Sequence, residues 1–267
     1  MKMQPDSEQS IEELITALNM DDVVSRSKAV SLLSAFKGEA ALNAILNALQ
    51  DKSDIVRVKA AQALGNLRNG KATQPLIEAL ADKNKNVRLR AVASLGKIGD
   101  QRSLDPLIEL TRDEDKDIRS TAVGFLGYFQ DIRVFEPLFN SLKDIDPDVR
   151  AWAAYSLGKL GDRRAAGALI ALLEDEDVGV RKEVVDALAK VPNELSIEPL
   201  IEALKDKNGE VRLRAVEAMY AIGNERAIPN LIWIEENDFY VCEGPLTNSQ
   251  MAAKAIEQIN QRYKIGQ

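Results

Sequence analysis

Two aromatic residues, Trp152 and Tyr155, stand three positions apart in the stretch DPDVRAWAAYSLGKLGDRRA (146–165), with Lys159 one turn further on. Paired rings beside a cation are recognition chemistry: large, rigid surfaces that bury area at little cost in rotamer freedom. The chain offers little that would do more. It contains no histidine, which excludes His-dependent triads, imidazole metal ligands and His general bases together. Its one cysteine, Cys242, rules out an intrachain disulfide and a multi-cysteine metal site, and no base stands near it in sequence to make it a nucleophile. Catalysis would have to rest on carboxylates, Lys, Tyr, Ser or that thiol, and no such constellation is evident. The residues predict a non-enzymatic protein with no cofactor and no metal.

Everything around the aromatic pair recurs along the chain, and the pair does not. Arg26, Arg57, Arg88, Arg119, Arg150, Arg181 and Arg212 are spaced by 31 residues without drift. Four residues before each arginine stands Asp22, Ser53, Asn84, Asp115, Asp146, Asp177 or Asn208, all residue types that cap helix N-termini. Six before come Asp51, Asp82, Asp113, Asp144, Asp175 and Asp206, with Met20 in the first unit. Leu33, Leu64, Leu95, Leu126, Leu157, Leu188 and Met219 lie seven after, and Phe36, Leu67, Ile98, Phe129, Leu160, Val191 and Ile222 ten after, a stripe of helical period. Gly65, Gly96, Gly127 and Gly158 fall mid-helix, where glycine costs about 1 kcal/mol against alanine, so close approach of a neighbouring helix is expected there. Gly99, Gly161 and Gly223 fit helix C-caps. A shorter helix completes each unit, with Pro75, Pro106, Pro137 and Pro199 in its first turn.

One hairpin of this kind cannot bury both its apolar faces, whereas stacked hairpins share a continuous core. The expected fold is therefore all-α: an α-solenoid of about eight helical hairpins. Its expected bounds are 9–267, after a flexible segment at 1–8, with an atypical capping repeat at 226–267. The repeated arginines are expected to pair with the repeated aspartates and with loop carbonyls, knitting hairpins together.

The block DPDVRAWAAYSLGKLGD resembles the short HEAT repeat named for phycobilisome lyases, the PBS-lyase or E–Z type. The resemblance runs over residues 9–236 and implies that the Arg-bearing helices line a concave surface. It also implies an alternative function, a phycobilin lyase subunit or a chaperone of tetrapyrroles or phycobiliproteins. Trp152, Tyr155 and Tyr128 would then stack on a bilin while Lys59, Arg90 and Lys97 meet its propionates. The paired-aromatic run of such lyases is missing; the segment here is RAWAAYSLG. Deoxyhypusine hydroxylases share related units but hold iron through His–Glu pairs, which a chain without histidine cannot supply.

In a solenoid, function belongs to the positions that do not repeat. The solvent arc of the Arg-bearing helix runs through the sites two, five and nine after the arginine. Read in order, it offers Lys28, Lys59, Arg90 and Lys97, then Tyr128 with Phe125 at its edge, then Trp152, Tyr155 and Lys159. Glu183, Asp186 and Lys190 follow, then Arg214 and Glu217. The expected partner site is Trp152, Tyr155, Tyr128, Phe125, Lys159, Lys59, Arg90 and Lys97, and basic residues beside aromatics suit a protein partner with an acidic patch. A net charge of -7 speaks against nucleic acid. No apolar run approaches the ~20 residues of a membrane span, and the opening MKMQPDSEQS lacks a secretory apolar region, so a cytoplasmic location is expected. The second break in the repeat is at 237–248, where Glu243 replaces the next arginine and DFYVCEGPLTNS delays the last helix. Capping of the solenoid end is the expected reason, with a docking loop around Tyr240 and Cys242 as the sharper option.

Overall fold

The residue four before each repeated arginine starts a helix. Asp22, Ser53, Asn84, Asp115, Asp146, Asp177 and Asn208 are all N-caps with extended backbone, and each except Ser53 accepts a hydrogen bond from a first-turn amide. These helices alternate with the shorter ones in a computed structural model that describes residues 8–191, 194–241 and 246–264. The expected flexible segment lies outside the described residues except for Glu8, which opens the first helix.

The chain divides into two compact units, 1–129 and 130–267. In the first, the helices are α1 Glu8–Ala17, α2 Val23–Leu33, α3 Glu39–Ala48, α4 Asp54–Leu67, α5 Thr73–Glu78, α6 Lys85–Ile98, α7 Leu104–Glu109 and α8 Lys116–Leu126. The second holds α9 Phe135–Ser141, α10 Pro147–Leu160, α11 Ala166–Ala171, α12 Val178–Lys190, α13 Ile197–Ala203, α14 Gly209–Ile222, α15 Ile228–Asn237 and α16 Asn248–Tyr263. Single 3-10 turns flank the short helices α5, α7 and α11 on both sides. The architecture is an all-α solenoid of hairpins, each pairing a short helix with an Arg-bearing one. Among the described residues the only strand-like pairing is one bridge, Val241 with Thr247.

The core repeats with the sequence. Leu33, Leu64, Leu95 and Leu126 in the first unit, and Leu157, Leu188 and Met219 in the second, are fully buried. So are Ile45, Leu76 and Leu107, then Leu138, Leu169, Leu200 and Leu231, one from each short helix. Each such side chain contributes roughly 1.5–3 kcal/mol by leaving water. The glycines expected at close approaches are at them. A Cβ on Gly65 would come within 2.7 Å of the Ser94 Cβ, and one on Gly158 within 2.6 Å of the Ala187 Cα. Gly127 differs. It is the C-cap of α8 rather than a mid-helix residue, since α8 stops three residues short of the position where Arg68, Gly99 and Gly161 turn the chain left-handed.

The arginines do more than the expected pairing. Arg150 donates Nε and Nη2 to the two oxygens of Asp175, both at 2.8 Å, and Nη1 to the carbonyls of Asp144 and Ile145. Arg26 with Asp51, Arg57 with Asp82 and Arg181 with Asp206 repeat this geometry 25 residues apart. Each of those aspartates also accepts the amide of its own N-cap residue, as Asp175 does from Asp177 at 2.9 Å. One carboxylate therefore fixes the start of its own helix and the arginine of the preceding hairpin. Arg88 keeps its carbonyls but makes no ion pair with Asp113. The same interval carries Phe125 over Gly96, where other repeats place Ala or Ser over glycine.

Replacing Arg150 by Ala leaves the Asp175 carboxylate largely buried without its fork, and such losses run to about 3 kcal/mol. The melting temperature should fall by several degrees, and Arg150→Lys should not restore it, because an ammonium cannot make the paired bonds. Arg57 holds the Asp82 carboxyl below the ordinary range. Burial opposes the charge on Asp51 and Asp175, and Arg26 and Arg150 outweigh it, so these too are lowered. Folded values below the unfolded ~3.9 contribute stability that is complete above that pH and lost as pH falls through the folded values. Acid unfolding should therefore steepen below about pH 4, and Asp175→Asn should flatten it, which melting curves from pH 2 to 7 would check.

Candidate partner-binding surface

The solvent arc of the Arg-bearing helices is what core and rung leave over: seven of the 14 residues of α4 and seven of the 14 of α10 are buried. In the first unit it carries Lys28 on α2, Lys59 on α4 and Arg90 on α6, all exposed and all two residues after their arginine. None of the three makes an ion pair among the described residues. Lys97, also exposed, donates to the Asn66 side chain at 3.3 Å. Phe125 and Tyr128 have ring centroids 6.2 Å apart. Phe125 is partly buried against Gly96, whereas Tyr128, 53% exposed, lies beyond the end of α8 rather than on the helix.

In the second unit α10 carries the other aromatic pair. Trp152 is 47% exposed and meets the partly buried Tyr155 edge to face, centroids 5.4 Å apart at 83°. Lys190 on α12 holds its Nζ 5.7 Å from the Tyr155 ring centroid. Lys159 is exposed one turn beyond. The expected site residues thus form two groups: Lys59, Arg90, Lys97, Phe125 and Tyr128 in one unit, and Trp152, Tyr155 and Lys159 in the other.

Next to the second group lie two carboxylates whose burial no sequence period announces. Asp186 is partly buried and accepts from Arg214 at 2.8 Å. Burial nevertheless pushes its carboxyl above the ordinary range. Glu183, one turn before, is raised first by burial and then by the charge of Asp186. It makes no hydrogen bond or ion pair among the described residues. Their signal was positional: two and five after Arg181, the places of Trp152 and Tyr155 in the preceding repeat.

A second ruler of cations runs at 31-residue intervals through Lys71, Arg102, Arg133 and Arg164, passes over Leu195 and resumes at Arg226. Each stands two after an Asn or Asp that caps a 3-10 turn. Arg102, Arg133 and Arg164 fold back onto Asp100, Asp131 and Asp162, and Arg133 holds Asp131 down to about 2. Arg164 also lies 3.8 Å over the Phe135 ring. Arg102, Arg133 and Arg164 are met mainly within their own turns, while Lys71 pairs with Glu39 and Arg226 with Glu198, which makes the ruler structural.

At the last hairpin, Arg212 pairs with Asp238 at 2.5 Å, 26 residues on instead of 25. Asp238 also accepts from the buried Asn248, and Tyr240 packs over Gly209. Thr247 and Gln250 form a capping box for α16, and Arg262 donates to the carbonyls of Tyr220, Ala221 and Gly223 at the end of α14. Cys242 lies outside the described residues. Among those residues no helix is long and apolar enough to cross a membrane, and no group of three or more His, Cys, Asp or Glu could hold a metal ion.

A sequence profile of HEAT repeats matches residues 42–123, 104–183 and 167–241. No curated protein matches the chain. Among solved structures it is similar to Escherichia coli YibA, at 21% identity and a TM-score of 0.66, covering 98% of this chain and 99% of that one. It is similar to an engineered protein at 19% identity and a TM-score of 0.57, covering 93% and 78%. A complex of CpcE and CpcF of phycocyanin lyase from Nostoc sp. PCC7120 aligns at 20% identity over 98% of this chain and 97% of that one, with a TM-score of 0.49. Identities this low speak for the fold alone.

Ionisation of Glu183 costs folding free energy, because its folded value lies above the unfolded ~4.3. The cost is absent below that pH and present in full above the raised folded value. Glu183→Gln should therefore raise the melting temperature at pH 7 and leave it unchanged near pH 3.

Proposed function

Since the chain belongs to the HEAT-repeat family, we propose that it is a non-enzymatic scaffold presenting the solvent arc of its Arg-bearing helices to a partner protein. The observation that carries this is the exposed Trp152 paired with Tyr155 on α10, in a chain whose aromatics are only 5% of residues. Exposed tryptophan and tyrosine held rigidly on a helix are the usual anchors of an interface. The unpaired cations Lys28, Lys59 and Arg90 support an acidic stretch of the partner on the first unit. The unbroken 31-residue register through 129/130 supports reading 9–267 as one solenoid.

An edge-to-face pair offers one ring face at a time, which suits a partner side chain better than the extended plane of a tetrapyrrole. The lyase alternative would require a bilin to change its absorption on mixing with the protein.

The partner is to be captured from the native host and identified by mass spectrometry, then used with purified variants. Trp152→Ala with Tyr155→Ala should keep the helical circular dichroism and nearly the wild-type melting temperature while losing about 2 kcal/mol or more of binding. Unfolding of this variant would make the pair packing residues. Full-strength binding by a folded variant would move the site elsewhere, first to the segment around Tyr240. Lys59→Glu with Arg90→Glu should mainly slow association and reduce its dependence on salt.

A further inference from the structure

The charges around the aromatic face of the second unit bear on the chemistry of what it would take. Trp152 and Glu183 hold the same repeat position on α10 and α12, which pack directly against each other. Packed helix axes lie about 8–10 Å apart, so side chains at matching positions on the two helices are neighbours across the seam. Trp152 meets Tyr155, and among the described residues no cation stands over the indole. Glu183 is partly buried with neither hydrogen bond nor ion pair.

The nearby cations are already engaged. Arg214 holds Asp186 at 2.8 Å, Lys182 holds Glu210 at 2.9 Å, and Lys190 sits over Tyr155. Asp186 and Glu210 are thereby met, and Glu183 is the carboxylate left over. Burial and the neighbouring Asp186 make its charge costly in the free protein, and Arg214, Lys190 and Lys182, none of them bonded to it, offset that cost only in part. A residue that costs stability on an exposed recognition face is the kind retained for binding.

We infer that this face takes an arginine side chain of the partner, its guanidinium stacked on the Trp152 indole and its fork turned to the Glu183 carboxylate. Arginine fits better than lysine for three reasons. Its planar head stacks on an aromatic face, it bonds a carboxylate through two donors, and it gives up its hydration more readily. A neutral side chain would leave Glu183 uncompensated, and an acidic one would add a like charge beside it. The inference rests on reading Trp152 and Tyr155 as the partner anchor, and it assigns the chemistry of what they anchor.

The test uses the full chain with Trp233→Phe, so that Trp152 is the one tryptophan left to report. The probes are an acetylated, amidated peptide with a single arginine flanked by glycines, and its citrulline, lysine and aspartate counterparts, at fixed ionic strength. Saturable change of the Trp152 fluorescence by the arginine peptide is expected at about millimolar concentration, as befits one side chain. Lysine should bind more weakly, and citrulline and aspartate should not saturate. Glu183→Gln, which should fold at least as stably as the wild type, should weaken the arginine peptide about fivefold or more, the loss of one charge-assisted pair. Equal binding of citrulline and arginine, wild-type affinity in Glu183→Gln, preference for aspartate, or no saturable change overturns the inference. If capture of the native partner fails in Trp152→Ala with Tyr155→Ala but is full in Glu183→Gln, the anchor stands and the arginine does not.

Discussion

A guanidinium taken out of water must have its donors met, and in this protein that requirement organises the chain. Arg26, Arg57 and Arg181 are nearly inaccessible, and each is answered by two oxygens of an aspartate 25 residues on and by two carbonyls of its own loop. Neither half could be dropped cheaply, since an unmet buried charge costs far more than a surface contact returns. A hydrophobic side chain in the arginine's place could bury comparable area but would tolerate slippage along the neighbouring hairpin. The paired donors do not. Because the same aspartate accepts the amide of its N-cap residue, the rung sets where the next helix begins as well as how it docks.

That division of labour frees the remaining faces. With the core on leucines and the register on rungs, the sites two, five and nine after each arginine carry no structural duty that repeats. The first unit fills them with cations, the second with aromatics and then with carboxylates. They stand on helices whose positions are over-determined, so little ordering is left to be done when a partner binds. Glu183 shows the cost of such freedom: a charge placed where burial penalises it, eased by Arg214, Lys190 and Lys182 nearby but bonded to none of them.

What was legible in the sequence was whatever depends on one repeat and its copy. The N-caps, the leucine stripe, the close-approach glycines at 65 and 158 and the Arg–Asp pairing all follow from position in the period. What depends on a third residue was not. The early end of α8 has no counterpart in the period, so Gly127 reads as mid-helix from sequence, and Tyr128 moves off the helix with it. The open rung at Arg88 shares its interval with a phenylalanine standing for a small residue. The second ruler of cations was visible at the same spacing, but its chemistry, with Arg102, Arg133 and Arg164 each closing on the aspartate two before it, needs the 3-10 turn to be seen.

The irregular C-terminal segment follows from the same requirement as the regular repeats. Arg212 has the desolvation of its predecessors to satisfy, yet the chain ahead of it departs from the 31-residue ruler. Asp238 answers it from the loop itself, one residue late, and is held there by Asn248 and by the amide of Tyr240. Tyr240 can close over the turn because Gly209 leaves space that any side chain would fill. With glutamate at 243 the ladder carries no further rung, and α16 turns instead to the exposed carbonyls of α14, which Arg262 meets. Asp238, Tyr240 and Asn248 at this break are thus bound by the rung they complete, whereas Trp152 breaks the pattern while standing half exposed beside Tyr155. That difference is the physical ground for placing recognition on α10 rather than at the end of the chain.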